Sequence, residues 1–581
     1  MFHVKNHKQL NIFDPWGHLG PKRRRLLDDS WAGLFQKQIL PKLPVASLCN
    51  HYHESNGRPT KELYSMMGLM LLQQMHDLTD NQAVEQFCFN VQWHYALNIT
   101  SASDAAAYIS NKSLWTMRKY MSTDESYNEM FDTALQTLAK LFKVDLSKQR
   151  MDSVHVKSNM RNLGRIGLFA RTIRKFLVNL KRQQHGLFDQ LDSNLTQRYL
   201  SKNQESLFAM VKPSESTRTL DQLAADVFTL TQRFASVSSV LDMSSFKLLT
   251  RLFQEQCVIE EANDTTTHPA QQVVARPNKD VASDSLQNPS DPDAGYSGHK
   301  GQGYQVQVVE NYTGDQNKGL SLITHVAVEP ANCHDAASLL PALDKLEQRG
   351  MCPQEILADS LYGSDTNCEK ALLEHDVTVI SPVMPGNQSK MHLADFTLDL
   401  EGRILACPQG VVPAKVKRTD AGFSATFPST VCLECPREKQ CPVTQGKKAC
   451  YYRYTTKDIR LACRRKHEDS PAFRDTYRYR AGVEATMSEF DRRTGVKHLR
   501  VRGMEAVCFA AVMKAIALNI LRASRHKSRI AEPSAPYLGT ILAFFMILNV
   551  FKEQIRQRMS KFASFCAYFQ IIGSNRLRMN F

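Results

Sequence analysis

The chain has 581 residues, 43% of them hydrophobic, an ordinary globular composition with room for three or four domains. Lys and Arg number 73 against 58 Asp and Glu, a formal charge of +15 and a pI near 9.1, so a polyanionic partner is expected. No apolar leader follows Met1, and fourteen cysteines without export features point to a reducing compartment, with thiols free or metal-bound.

Residues 1–145 read as mostly helical. Leu63 to Met75 (LYSMMGLMLLQQM) is a strongly apolar helix, with Thr60 as its expected cap. A polar turn, Asp77 to Asp80, leads to a second helix over Asn81 to Asn90. Two helices across a short turn suit a helix-turn-helix DNA reader, and equally a plain helical bundle.

Arg150 to Ser158 (RMDSVHVKS) alternates as a strand. Asp152 shares the parity of Val154 and Val156, and a charge on an apolar face is costly unless paired or metal-bound. His155 reads as an ordinary strand or surface histidine. Residues 160–260 then form a helical insertion crowded at its start with Arg161, Arg165, Arg171, Arg174, Lys175, Lys181 and Arg182. Residues 261–298, rich in Pro, Asp and Ser, read as a loop.

The pattern then becomes regular. Gly303 to Val309 and Leu320 to Glu329 form a hairpin. Asp335 to Arg349 is an amphipathic helix, and Glu355 to Asp359 a short buried strand ending in an acid. Ser364 to His375 is a helix and Val377 to Val383 a strand. After a cysteine-rich stretch comes a helix carrying Tyr477, Arg480, Glu484 and Asp491 on one face, at spacings of three, four and seven. A basic turn with Arg492, Arg493, Arg500, Arg502 and Gly503 suits phosphate contact. The apolar helix from Met504 should bury Val507, Ala511 and Ala515. The apolar run near Ile541 to Phe551 is too short to span a bilayer, so no membrane role is expected.

In order, these elements make an α/β fold with an RNase H-like, mixed five-stranded sheet. In that core the first acid lies on the first strand, the second at the end of the fourth, and the third on a later helix. Asp152, Asp359 and Glu484 occupy those places, and agreement across levels is what carries the reading. The organisation expected is a helical N-terminal, DNA-binding domain (1–145) and a catalytic core (146–385 and 456–524) interrupted by the helical insertion (160–298). A cysteine-rich insertion (390–455) and a helical tail (525–581) complete it.

Within the cysteine-rich insertion, Cys407-Pro-Gln-Gly410 is followed by Cys432-Leu-Glu-Cys435-Pro and Cys441. One CxxC with two further cysteines can give a tetrahedral, structural Zn²⁺ site, and Cys450 can replace Cys441.

The stretches MDSVHVKSN (151–159), LADSLYG (357–363), YRYRAGVE (477–484) and RVRG (500–503) together resemble bacterial insertion-sequence transposases of the DDE type. The cysteine block resembles one branch of them. The resemblance spans about 50–524 with a gap over the helical insertion. The chain departs from the Y-R-E-K signature of related enzymes at Asp491, where lysine is expected; Arg492 is the nearest cation.

The resemblance implies metal-dependent DNA cleavage and strand transfer, with two Mg²⁺ or Mn²⁺ ions. Asp152 would bridge them, and Asp359 and Glu484 would each complete one site. It implies that Tyr477 and Arg480 position terminal phosphates. Double-stranded transposon ends and target DNA are the partners, met by a homodimer in the bacterial cytoplasm at the nucleoid. A non-catalytic zinc and DNA-binding derivative, or an RNase H-like nuclease without strand transfer, are the alternatives.

Overall fold

The computed structural model describes residues 1–531 except 10–13, 55, 58, 202–207, 209–210, 262–270, 315–318 and 385–389, together with Lys552. The chain divides into two units, Met1–Ala523 and Ser524–Phe581, and the first holds the N-terminal helices, the central sheet and both insertions. The apolar run at 541–551, and the expected helical tail beyond 531, lie outside the described residues.

The N-terminal region is helical, as expected. Helix α1 (Leu63–Met75) is buried along nearly its whole length. Its cap is Glu62, not Thr60: the Glu62 carboxylate accepts from the backbone N–H groups of Tyr64 and Ser65 at 3.2 and 2.7 Å. Burial opposes that charge, yet hydrogen bonds from His7 and Ser65 outweigh it and hold the carboxyl at about 2. Helix α2 (Asp80–Phe89) begins with a capping box between Thr79 and Gln82. Its exposed positions, Asn81, Gln82, Glu85 and Phe89, carry no cation.

The central sheet is built on β1 (Lys148–Val156), which pairs antiparallel with β2 (Gly301–Asn311). Strand β3 (Ile323–Pro330) pairs antiparallel with β2. Helix α3 (Leu339–Gln348) crosses to β4 (Glu355–Leu357), which runs parallel to β1. Helix α4 (Asp365–His375) crosses to β5 (Thr378–Ile380), parallel to β4. The resulting order, β3-β2-β1-β4-β5 with three antiparallel strands and then two parallel ones, is RNase H-like. Parallel neighbours need long crossovers, which the two helices provide.

Two further expectations need correction. The stretch 261–298 is not all loop. Cys257–Glu261 and Gln271–Ala275 form a hairpin, and Gly295–Ser297 pairs with the start of β2. Polar composition hid them because the strands are short. Nor is 477–491 one α-helix. Pro471–Tyr477 is α-helical, Arg478–Ala481 is a tighter 3₁₀ segment, and α5 (Gly482–Thr494) follows. The change of pitch shifts side-chain directions across Arg480, which simple 3.6-residue spacing does not capture.

Helices Arg165–Gln183, Ser216–Phe234 and Ser244–Gln256 of the first insertion enclose a core of their own, including Ile173, Phe176, Leu230 and Leu249. Several of the cations crowded at its start serve that fold. Arg165 donates to Gln256 and Asn278, Arg174 to the Tyr199 carbonyl, and Lys175 to the Pro289 carbonyl. The second insertion has a four-stranded antiparallel sheet around Phe396, Phe427 and Tyr454.

Helix α5 packs against β1 and α1. Helix α6 (Met504–Ala531) buries Val507, Ala511 and Ala515, as its pattern predicts. Asn519 on α6 locks it to the sheet, accepting from the Ile323 N–H at 2.7 Å and donating to the Ile323 carbonyl at 2.8 Å.

Candidate active site

Asp152 lies in the middle of β1, opposite Val308 of β2. Its side chain is only 17% exposed, and it accepts from the Ser153 N–H at 2.8 Å. Burial pushes its carboxyl above the ordinary range. The Ser153 contact and Arg480 oppose this, while the charges of Asp359 and Asp335 add to it. Asp359 stands just beyond the end of β4, where its Oδ1 accepts from the N–H groups of Leu361 and Tyr362 at 2.8 and 3.4 Å.

Arg480 joins the third acid to this pair. Its guanidinium lies 3.1 Å from Asp152 and 3.5 Å from Glu484, which is 70% exposed on the first turn of α5. Tyr477 is half-buried nearby. Its hydroxyl is pushed up first by burial, with Arg480 opposing and Asp359 and Asp152 adding. So Asp152, Asp359, Tyr477, Arg480 and Glu484 share one neighbourhood, and the cation now between Asp152 and Glu484 is a guanidinium. Among the described residues no group of three or more His, Cys, Asp or Glu is drawn close enough to hold one metal ion. The donors are nonetheless oxygens of the hard type that Mg²⁺ or Mn²⁺ takes, and their mutual repulsion is what a bound cation relieves.

The other expected DNA contacts are scattered. Arg492 and Arg493 are exposed in the last turn of α5, about two helical turns beyond Glu484. Arg500 is ion-paired with Asp77 at 3.0 Å, and Arg502 is exposed. Asp491 accepts from the Lys497 N–H at 3.1 Å, so it shapes the turn after α5.

Three features escape a reading of the motifs. Asp335, whose charge helps raise the Asp152 carboxyl, accepts from Gln307 at 3.0 Å; Gln307 in turn accepts from the buried Tyr362 hydroxyl at 2.5 Å. Glu310 is fully buried between two arginines, with Arg150 at 2.7 Å and Arg522 at 2.8 Å, and it accepts from the Thr486 hydroxyl. Arg150 also donates to the Tyr479 carbonyl at 2.6 Å, which ties the 3₁₀ segment to β1. Gly482 is needed there, because a Cβ at that position would lie 2.0 Å from the Arg150 guanidinium. A parity signal existed: Arg150 and Glu310 lie on the same buried parities as Asp152 and Val308, and are cross-strand partners.

Cys407, Cys432, Cys435, Cys441 and Cys450 line one cavity of about 570 Å³. The Cys432 thiol is pushed up to about 12, first by burial and then by the neighbouring thiols of Cys450, Cys441 and Cys407. The donor type fits Zn²⁺, though the thiols stand around the cavity without meeting at a point.

Two family models match the chain. One, described as Transposase DDE domain, covers residues 406–523, which include the cysteine cluster from Cys407 to Cys450, Arg480 and Glu484. The other, Transposase domain (DUF772), covers 33–120 in the N-terminal helices. No curated protein and no solved structure matches. Two transposase domain models matching one chain, together with an RNase H-like sheet, support an insertion-sequence transposase of the DDE type.

Proposed function

We propose that the protein cleaves DNA at the ends of an insertion sequence and joins the freed ends to target DNA. The observation that carries this is the meeting of Asp152 and Glu484 on the Arg480 guanidinium, with Asp359 near enough for its charge to raise the Asp152 carboxyl. In this reading Asp152, Asp359 and Glu484 hold divalent cations. When bound, two Mg²⁺ or Mn²⁺ ions would supply activation of the attacking oxygen and charge stabilisation on the leaving one. Arg480 and Tyr477 hold the phosphate beside them, a guanidinium being suited to bidentate phosphate contact. A homodimer on double-stranded ends and a cytoplasmic, nucleoid-associated setting belong to the same reading.

Duplexes carrying the repeats that flank the coding region test it, incubated with protein and Mg²⁺. Cutting plus joining is expected. Binding alone would favour a non-catalytic derivative, and cutting without joining a nuclease.

Arg480 and Arg492 should separate in this assay. Arg480→Ala is expected to lower the cleavage rate at saturating DNA on the order of 10²-fold, the scale of removing one preorganised charge. Arg492→Ala should leave that rate and lower the slope of log affinity against log salt by about 1. Equal losses of affinity with unchanged saturated rates would make Arg480 only another backbone contact.

We also propose a structural Zn²⁺ held by Cys407, Cys432, Cys435 and Cys441 or Cys450. Protein purified without chelator should carry about one Zn²⁺ per chain, and the Cys432→Ser/Cys435→Ser variant none. Metal analysis finding no zinc in the parent protein would remove this assignment.

A further inference from the structure

A groove of about 630 Å³ runs from Asp152 and Glu484 past Lys157, Lys300, Lys497 and His498. The four basic residues come from three distant segments, and the backbone explains why they meet. Beyond the end of β1, Lys157 donates to the Lys497 carbonyl at 2.9 Å, and its own carbonyl accepts from Leu499 at 2.8 Å. This parallel bridge, centred on Lys157 and His498, extends the sheet into the basic turn after α5. Lys300 arrives at the start of β2, where Gly303 has φ +146° and a Cβ would lie 2.4 Å from the Val156 carbonyl. That close approach of the two strands brings Lys300 beside His155 and Lys157.

Elsewhere in the core, Arg150, Arg480, Arg500, Lys514 and Arg522 each have a carboxylate partner. The groove lysines differ. Among the described residues, no carboxylate lies within ion-pair distance of Lys157, Lys300 or Lys497, and Lys157 and Lys300 are exposed. His155, at the groove wall, has both ring nitrogens buried without a well-formed hydrogen bond, with the Gln302 backbone close by. Its imidazole is pushed below the ordinary range, first by burial and then by Lys300 and Lys157, so the local field is positive. Cations without carboxylate partners, drawn from three segments onto one groove that begins at the acids, suit the phosphates of a DNA backbone.

We infer that this groove is the track for the DNA strand running away from the reacting linkage, with Lys157, Lys300 and Lys497 on successive phosphates. The inference rests on the transposase reading and adds to it the place and sign of the contact.

The test compares the full-length protein with a Lys157→Gln/Lys300→Gln/Lys497→Gln variant, using fluorescence anisotropy on end duplexes over a series of salt concentrations. A control variant, Lys415→Gln/Lys417→Gln/Arg418→Gln, changes cations on the cysteine insertion. The groove variant should lose about 2 to 3 from the slope of log affinity against log salt, at roughly 0.7–0.9 per phosphate, and the control should lose none. Neutral methylphosphonate linkages beside the cut should weaken binding to the parent protein and cost the groove variant much less. Thermal melts of both variants check that the fold is intact. An unchanged slope, or methylphosphonate losses of equal size in parent and variant, would overturn the track. Failure of the parent to cut or join would remove the transposase reading instead, while the slopes would still decide whether the groove holds DNA.

Discussion

Asp359→Asn should abolish metal-dependent cleavage of end DNA, with a loss of at least about 10²–10³-fold, while DNA affinity stays nearly unchanged. Asparagine keeps the Oδ1 that accepts from Leu361 and Tyr362, so the turn after β4 is preserved. What disappears is the negative charge that helps raise the Asp152 carboxyl. Asp152→Asn should be equally inactive but should differ in stability. The Asp152 carboxyl is raised in the folded chain, first by burial and then by its acidic neighbours, despite Arg480. A carboxyl raised on folding favours the fold when protonated. That contribution is full below the ordinary carboxylate range and is lost as pH rises through the raised folded value. Metal-free Asp152→Asn should therefore match the parent at low pH and melt higher at neutral pH. Urea titrations in chelator across that range, beside cleavage assays, check both parts. A variant less stable than the parent at neutral pH would show that Arg480 makes the ionised form favourable, and an active Asp359→Asn would remove it from the site.

The second large effect concerns the charge network beneath the 3₁₀ segment. Glu310→Ala leaves the guanidinium groups of Arg150 and Arg522, 7% and 11% exposed, without their shared carboxylate. Removing one partner of a buried pair costs about 3–5 kcal/mol, because the remaining charge stays desolvated. Replacing all three with apolar residues of similar volume, as in Arg150→Met/Glu310→Leu/Arg522→Met in a Glu489→Gln background that neutralises the second partner of Arg522, often leaves stability unchanged or higher. Here it should fold yet cleave poorly, since Arg150 no longer donates to the Tyr479 carbonyl and the segment carrying Arg480 is released from β1. Gly482→Ala should act alike by crowding the same guanidinium. Denaturant midpoints and saturated cleavage rates separate the effects. A stable triple variant with the parent's rate would show that the network only fills space.

The chain's local patterns determined much of this protein. Alternation over β1 and β2, the short acid-ended stretch at Glu355 to Asp359, and two intervening amphipathic helices were enough to order the sheet, because each has a characteristic period and length. The same alternation marked Asp152, a charge on an apolar parity, and helical spacing put Arg480 near Glu484, although the 3₁₀ turn between them was not legible. Short strands in polar surroundings, such as Gly295–Ser297, left no such period.

Other features depended on pairs far apart in sequence. Glu310 is intelligible only beside Arg150 and Arg522, and Asp335 only once β2 brings Gln307 under it. Arg500 reads from the sequence as a phosphate contact, and only the fold shows its pairing with Asp77, 423 residues away. The groove cations were ordinary surface residues in the sequence. They became one surface only because a backbone bridge joins Lys157 to His498. Periodicity reports which face of an element is buried; which charges meet across elements is decided by register and packing.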